Sequence, residues 1–235
     1  MCGRYRLTAK ERWLSSYFNL DPEDVAWAAR WNMAPTDEVA TIRQDHKASK
    51  RIFSKMRWGL IPYWAKDASI SSGTINAMSE TAAEKPAFRE AIRRRRCLVP
   101  ADGFYEWKRV VSGRKQPYSI GMADDGLFAF AGLWDRWKDP AGKVLESCTI
   151  LTTEANALLK DIHDRMPVIL SPDDYDSWLD PGETNPAHVA DLLKPFDARL
   201  MGVYPVSSAV NSVKNDGPEC ALEVQPESSR QAKLF

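Results

Sequence analysis

Apolar residues return at helical spacing near the start of the chain, at Trp13, Leu14, Tyr17 and Phe18. Thr8 and Glu11 stand ahead of them three apart, as in a capping box, so the pattern predicts a first helix there. Pro86 is placed to open a second helix running through Phe88 and Ile92 into Arg93–Arg96, where cations complement the negative end of a helix. Ser171-Pro172 and Asn185-Pro186 each pair an N-cap residue with proline at the first helical position, which predicts two more short helices. The intervening sequence reads as strands: Cys97–Val99, Phe104–Val111, Ser147–Thr152, Val168–Leu170 and Leu200–Val206. Asp125-Gly126 is a hairpin signal joining Tyr118–Ala123 to Leu127–Leu133. Nothing marks a linker and no period repeats, so the expected fold is one α+β domain: a curved, mostly antiparallel β core with peripheral helices.

A chain of 235 residues can bury a core without staples. Apolar residues at 44% and charged residues at 27% are those of an ordinary globular protein, and 32 basic side chains balance 32 acidic ones. No global field therefore advertises a nucleic-acid partner, although local patches can still do so. No apolar run approaches the roughly 18 residues of a membrane span, and the first residues lack the apolar stretch of a signal peptide. Cys2, Cys97, Cys148 and Cys220 are too scattered for a zinc site and suit a reducing compartment, so the expected location is the cytoplasm.

Five segments carry candidate chemistry. Cys2, once Met1 is trimmed, offers an α-amine and a thiol on one residue; the reference pKa values of these groups are about 7.7–8.0 and about 8.5, so both have nucleophilic fractions near neutrality. The amine can attack an aldehyde and the thiol can close a five-membered ring, or the same residue can act as an N-terminal nucleophile on an amide. Its ordinary alternative is a small buried hydrophobe. The run Trp58 to Trp64 (WGLIPYW) suits a rigid loop with aromatic faces that stack on bases, or else a core loop. Asn76 could orient a carbonyl or sugar hydroxyl, or simply sit at a helix entry. Glu106, in Phe104–Trp107, could shuttle protons from an aromatic-rich pocket, or be a solvated strand carboxylate. His163 precedes a strand between Ile162 and Asp164-Arg165, a plausible place for an acid/base or for a structural histidine, whereas His46 and His188 lack evident partners. The arginines Arg4, Arg6, Arg89 and Arg93–Arg96 could hold phosphates or be solvated surface.

Taken together these segments resemble the SOS-response-associated peptidase (SRAP) family. The resemblance rests on MCGRY (1–5), NMAPT (32–36), WGLIPYWAKD (58–67), NAMSET (76–81), EKPAFREAIRRRRCLVPADGFYEW (84–107), HDRMPVIL (163–170) and VNSVKNDGPEC (210–220). Several motifs in order are more specific than any one of them. It implies a single domain with a barrel-like β core over residues 1–222, leaving 223–235 as a loose tail. It also implies self-removal of Met1, sensing of abasic sites in single-stranded DNA, and a DNA–protein crosslink through Cys2. Catalytic or pocket roles fall on Cys2, Asn76, Glu106 and His163, and DNA contacts on Arg4, Trp58, Pro62, Trp64, Met78 and Arg165. No metal or organic cofactor is required, and a monomer associated with the nucleoid when on DNA (nuclear in a eukaryote) is expected. One departure stands out: Met78 occupies the place of an arginine usual in the family, which puts DNA affinity in question more than the chemistry at Cys2.

Overall fold

The computed structural model describes residues 2–45, 50–109 and 115–225. Thirteen strands are present among them: β1 (Tyr5–Leu7), β2 (Arg30–Met33), β3 (Glu38–Gln44), β4 (Arg51–Trp58), β5 (Asn76–Met78), β6 (Arg96–Ala101), β7 (Gly103–Arg109), β8 (Lys115–Met122), β9 (Phe128–Lys138), β10 (Val144–Glu154), β11 (Arg165–Pro167), β12 (Ile169–Leu170) and β13 (Met201–Pro205). Four short helices lie outside them: α1 (Glu11–Phe18), α2 (Ala91–Arg94), α3 (Tyr175–Leu179) and α4 (Pro186–Val189).

The strands form two sheets, one ordered β13-β8-β7-β1-β2 and the other built on β10-β4-β3-β6-β9. Because β9 pairs with β10 as well as with β6, the second sheet closes on itself into a five-stranded barrel. All its pairings are antiparallel except β10 with β4, so the barrel is mixed. Closure explains the continuous burial of β6 and of β9 from Phe128 to Leu133: neither strand has a solvent face there. Gly132 is the residue that permits the close approach of these two strands, since a Cβ there would lie 2.8 Å from Cys97 Sγ and 2.9 Å from Val99 Cγ2. Between the sheets Tyr5 packs edge-on against Trp58 and Phe130, at centroid distances of 5.4 and 5.6 Å. Such pairs add about 0.5–1.5 kcal/mol each beyond their area.

The single α+β domain, the mostly antiparallel barrel-like core and the peripheral helices agree with the sequence reading, but several local expectations do not. The Thr8–Glu11 capping box is absent: the N-cap is Lys10, with no side-chain cap. Thr8 instead donates its hydroxyl to Asp102 Oδ2 at 2.8 Å, and Glu11 Oε1 accepts the Trp27 backbone N–H at 2.9 Å. The helix expected from Pro86 to Arg96 shrinks to Ala91–Arg94, and Arg96 is a buried strand residue. Its guanidinium donates to the carbonyls of Trp178, Ile92, Asp180 and Glu183 at 2.6–3.0 Å, so it satisfies carbonyls of α2, of α3 and of the turn after α3. Asp125-Gly126 does turn the chain, with Asp125 at φ 57°, but the strands on either side part into different sheets and form no hairpin. The two proline-led starts are observed: Pro172 opens a 3-10 turn that runs into α3, and Asn185 Oδ1 accepts the Ala187 N–H at 3.1 Å ahead of α4. At the far end Glu223 bridges Val206; residues 226–235 of the expected tail, Val110 and Val111 of the expected strand, and His46 lie outside the described residues.

Candidate functional site

β1 runs antiparallel to β7 with Tyr5 opposite Phe104, and the ladder continues past the strand end through Tyr105 N–H to Arg4 O at 2.9 Å. That register carries the first residues of the chain along β7 to the level of Glu106. From the barrel, β5 lies parallel to β10 with Asn76 opposite Ile150. Ile75 just before it is pinned at its carbonyl by Trp58 Nε1 at 2.8 Å, so the start of β5 has little freedom. Asn76 Nδ2 then donates to Cys2 O at 2.8 Å. Cys2 is wholly buried, and its Sγ lies 3.7 Å from Arg4 O. Burial foremost, and the negative charge of Glu106 next, push the Cys2 thiol well above its ordinary pKa. Glu106 is itself 5% exposed. A carboxylate, a carboxamide and a thiol from three distant segments thus meet at residue 2. This arrangement can hold a backbone carbonyl in place and move a proton beside it.

His163 stands at the entry to β11. Its Nδ1 lies 3.0 Å from the backbone N of Arg165 and 2.8 Å from Asp164 Oδ1. A neutral ring with Nδ1 accepting from Arg165 carries its proton on Nε2, while a protonated ring turns an Nδ1–H to Asp164. Both proton states therefore have a local partner at Nδ1.

The residues expected to touch DNA fall into different environments. Trp58 is fully buried between Tyr5 and the Ile75 carbonyl, so it is core and presents no face to a base. Pro62 is also buried. These two expectations are overturned because β4 delivers the start of the loop into the barrel wall. Gly59 makes that turn at φ 115°, where a Cβ would meet Ser71 O at 2.7 Å. The exposed part of the loop is its tip, where Tyr63 is 58% and Trp64 48% accessible. The tip is held by Tyr63 N–H on Asp135 Oδ2 at 3.1 Å and by Trp137 Nε1 on Ala65 O at 2.7 Å. Met78 is exposed as well. Arg4 is half-buried and gives Nη1 to Asn32 Oδ1 and Val210 O, at 2.9 and 2.8 Å. Arg165 forms a two-pronged pair with Glu80, at 2.7 and 2.8 Å. Both arginines are thus engaged within the protein.

Sequence reasoning gave no role to Asn32, Asp102 or Asp216. Asn32 Nδ2 binds the carbonyls of Val210, Ser212 and Asn215, at 2.8–3.2 Å. Asp216 binds the backbone N–H groups of Trp31 and Asn32 and pairs with Arg30. Asp102 pairs with Arg6 at 3.2 Å and accepts from Thr8 and Ala9. These residues anchor the strands that carry the N-terminal segment. Asn32 and Asp216 lie inside quoted motif blocks, yet a cross-chain partner leaves no local signature. Among the described residues no three His, Cys, Asp or Glu side chains gather as metal ligands.

The sequence and the fold both have known counterparts. The sequence model of the SOS response associated peptidase (SRAP) family matches residues 1–213. The chain is 46% identical over 222 residues to the abasic site processing protein YoqW of Bacillus subtilis (strain 168), covering 93% of this chain and 98% of that protein. It is 37% identical over 209 residues to the abasic site processing protein HMCES of Mus musculus, covering 76% of this chain and 59% of that one. A crystal structure of a Bacteroides thetaiotaomicron protein superposes with a TM-score of 0.84 at 29% identity, over 95% of this chain and 100% of that chain.

Proposed function

This chain belongs to the SOS response associated peptidase (SRAP) family, and from that premise we propose that it processes abasic sites in single-stranded DNA by bonding covalently to them through Cys2. The observation that supports this reading best is the convergence at residue 2: the Asn76 amide on the Cys2 carbonyl at 2.8 Å, with the Glu106 charge acting on the Cys2 thiol.

Chemistry begins with hydrolysis of the peptide bond between Met1 and Cys2, which frees the Cys2 α-amine. His163 protonates the ring oxygen of the abasic deoxyribose as the sugar opens to its aldehyde. The neutral amine attacks C1′, and the carbinolamine expels water to leave an imine; Glu106 takes the amine proton and returns it to the departing hydroxyl. The thiol then adds to the same carbon while its proton passes to the nitrogen, closing a thiazolidine. The net change is loss of one water. Asn76 holds Cys2 by its carbonyl so that amine and thiol stay on one side of the aldehyde. A buried, protonated thiol suits this order, because it reacts after the imine has formed. Trp64 and Tyr63 offer stacking faces to flanking bases.

Intact mass spectrometry before and after incubation with abasic single-stranded DNA tests the reading. The expected product is protein lacking Met1 plus DNA less one water, mapped to the N-terminal peptide and prevented by methoxyamine. Cys2→Ala should bind DNA yet give no adduct that survives denaturant, and Cys2→Ser should behave alike. Amide turnover without an adduct would point instead to an N-terminal-nucleophile amidohydrolase. Salt-sensitive DNA binding indifferent to Cys2 would point to a non-catalytic module.

A further inference from the structure

Of the arginine run Arg93–Arg96, Arg96 is spent on backbone carbonyls inside the protein, whereas Arg94 and Arg95 line a cavity of about 530 Å³. The cavity opens at the end of the barrel where β3 finishes and β4 and β6 begin. Arg43 and Arg136 line it too, so four guanidinium groups surround one opening, against the two carboxylates of Asp45 and Glu146. Two of the four are fixed in place. Arg43 Nη1 lies 3.2 Å from Glu146 Oε2, and its guanidinium stands over the Trp134 ring, 4.5 Å from the centroid. Arg95 Nε is tied to Asp135 Oδ1 at 3.2 Å. Arg94 and Arg136 are exposed and, among the described residues, pair with no carboxylate.

We propose that this end of the barrel is a binding site for a phosphate group, separate from the Cys2 centre. The planar fork of arginine matches phosphate oxygens, and several forks around one opening suit an anion with three or more acceptor oxygens better than a carboxylate with two. A concave site with an excess of one sign focuses its field inward, so Arg94 and Arg136 act on a ligand there more strongly than on open surface. Arg43 and Arg95, already held, lose little rotamer freedom when it binds. None of the residues lining the cavity belongs to the Cys2 centre. Glu146 precedes Ile150, the residue paired with Asn76, by four positions on β10, which is on the order of 13 Å along the strand.

The Trp134 indole N–H of 15N-labelled protein, assigned with Trp134→Phe, reports on the cavity during titration with a deoxynucleoside 5′-monophosphate at low ionic strength. Wild type should show a saturable shift, and the parent deoxynucleoside, which lacks the phosphate, should give none. Arg94→Gln/Arg136→Gln should weaken binding by about 10-fold or more, the worth of at least one charge-assisted contact. Arg89→Gln/Arg93→Gln, which removes two exposed arginines outside the cavity, should bind like wild type. Undamaged single-stranded oligonucleotides with and without a 5′-phosphate then identify the source of the phosphate. Competition by the phosphorylated strand alone assigns the site to a strand end, by both to the strand backbone, and by neither to a free nucleotide. No saturable shift, an equal shift with the deoxynucleoside, or equal weakening in both double variants overturns the proposal. No abasic site enters the measurement, so its failure and that of the crosslinking reading are separate.

Discussion

Replacing Glu106 by glutamine keeps the size of a side chain only 5% exposed and removes its charge. Two effects of opposite sign follow from its place beside Cys2. Without the carboxylate no group of suitable basicity moves protons between amine, carbinolamine and thiol, so crosslinking should slow by about 10²-fold or more, or about 2.7 kcal/mol of barrier. The negative charge is also the second cause, after burial, of the raised thiol pKa. Its removal lowers that pKa, so the thiolate fraction at a given pH rises and alkylation of Cys2 should quicken. Time courses on denaturing gels give the first rate. Iodoacetamide labelling followed by peptide mapping gives the second, and separates Cys2 from the buried Cys97, Cys148 and Cys220. Faster alkylation together with slower crosslinking shows that proton transfer, and not thiol strength, limits the reaction. Crosslinking at the wild-type rate would remove Glu106 from the mechanism, and slower alkylation would refute the electrostatic argument.

Trp58→Ala should unfold the protein more easily, by about 3–5 kcal/mol in denaturant melts, as befits a fully buried indole. Trp64→Ala should leave the melt unchanged and weaken DNA binding by about 1–3 kcal/mol if a base stacks there. Met78→Arg, at an exposed position, should tighten binding and steepen its salt dependence by about one ion; no change in the slope would put residue 78 off the DNA path. Hydrogen bonds from Arg165 hold the Glu80 carboxyl below its usual pKa. The pair's contribution to stability is therefore complete above the unfolded value of about 4.3 and is lost as pH falls through the folded one. Urea midpoints for wild type and Glu80→Gln should converge in acid, and a constant gap would deny the linkage.

Much of this protein is legible in one dimension because its cues are local. Proline after a capping residue is a local helix-start cue, and at Ser171-Pro172 and Asn185-Pro186 it needed no tertiary knowledge. Buried strands such as β6 and β9 announce themselves as apolar runs, and ordered motifs made Cys2, Asn76 and Glu106 candidates before any contact was known. Tertiary structure decided what depends on partners far along the chain. The Thr8 hydroxyl could have accepted an N–H of the first helical turn as a cap, but Asp102, at the turn from β6 into β7, takes its proton instead. Asp125-Gly126 could only promise a turn, because whether its strands pair depends on the competing edges of β7 and β6. Trp58 and Trp64 look alike in sequence, yet closure of the barrel buries one and leaves the other at the surface. Arg165 carries a positive charge on paper, and Glu80 and Thr152 determine where that charge is spent. Burial and pairing are properties of the closed three-dimensional contact set, and a chain read residue by residue holds only the options from which that set selects.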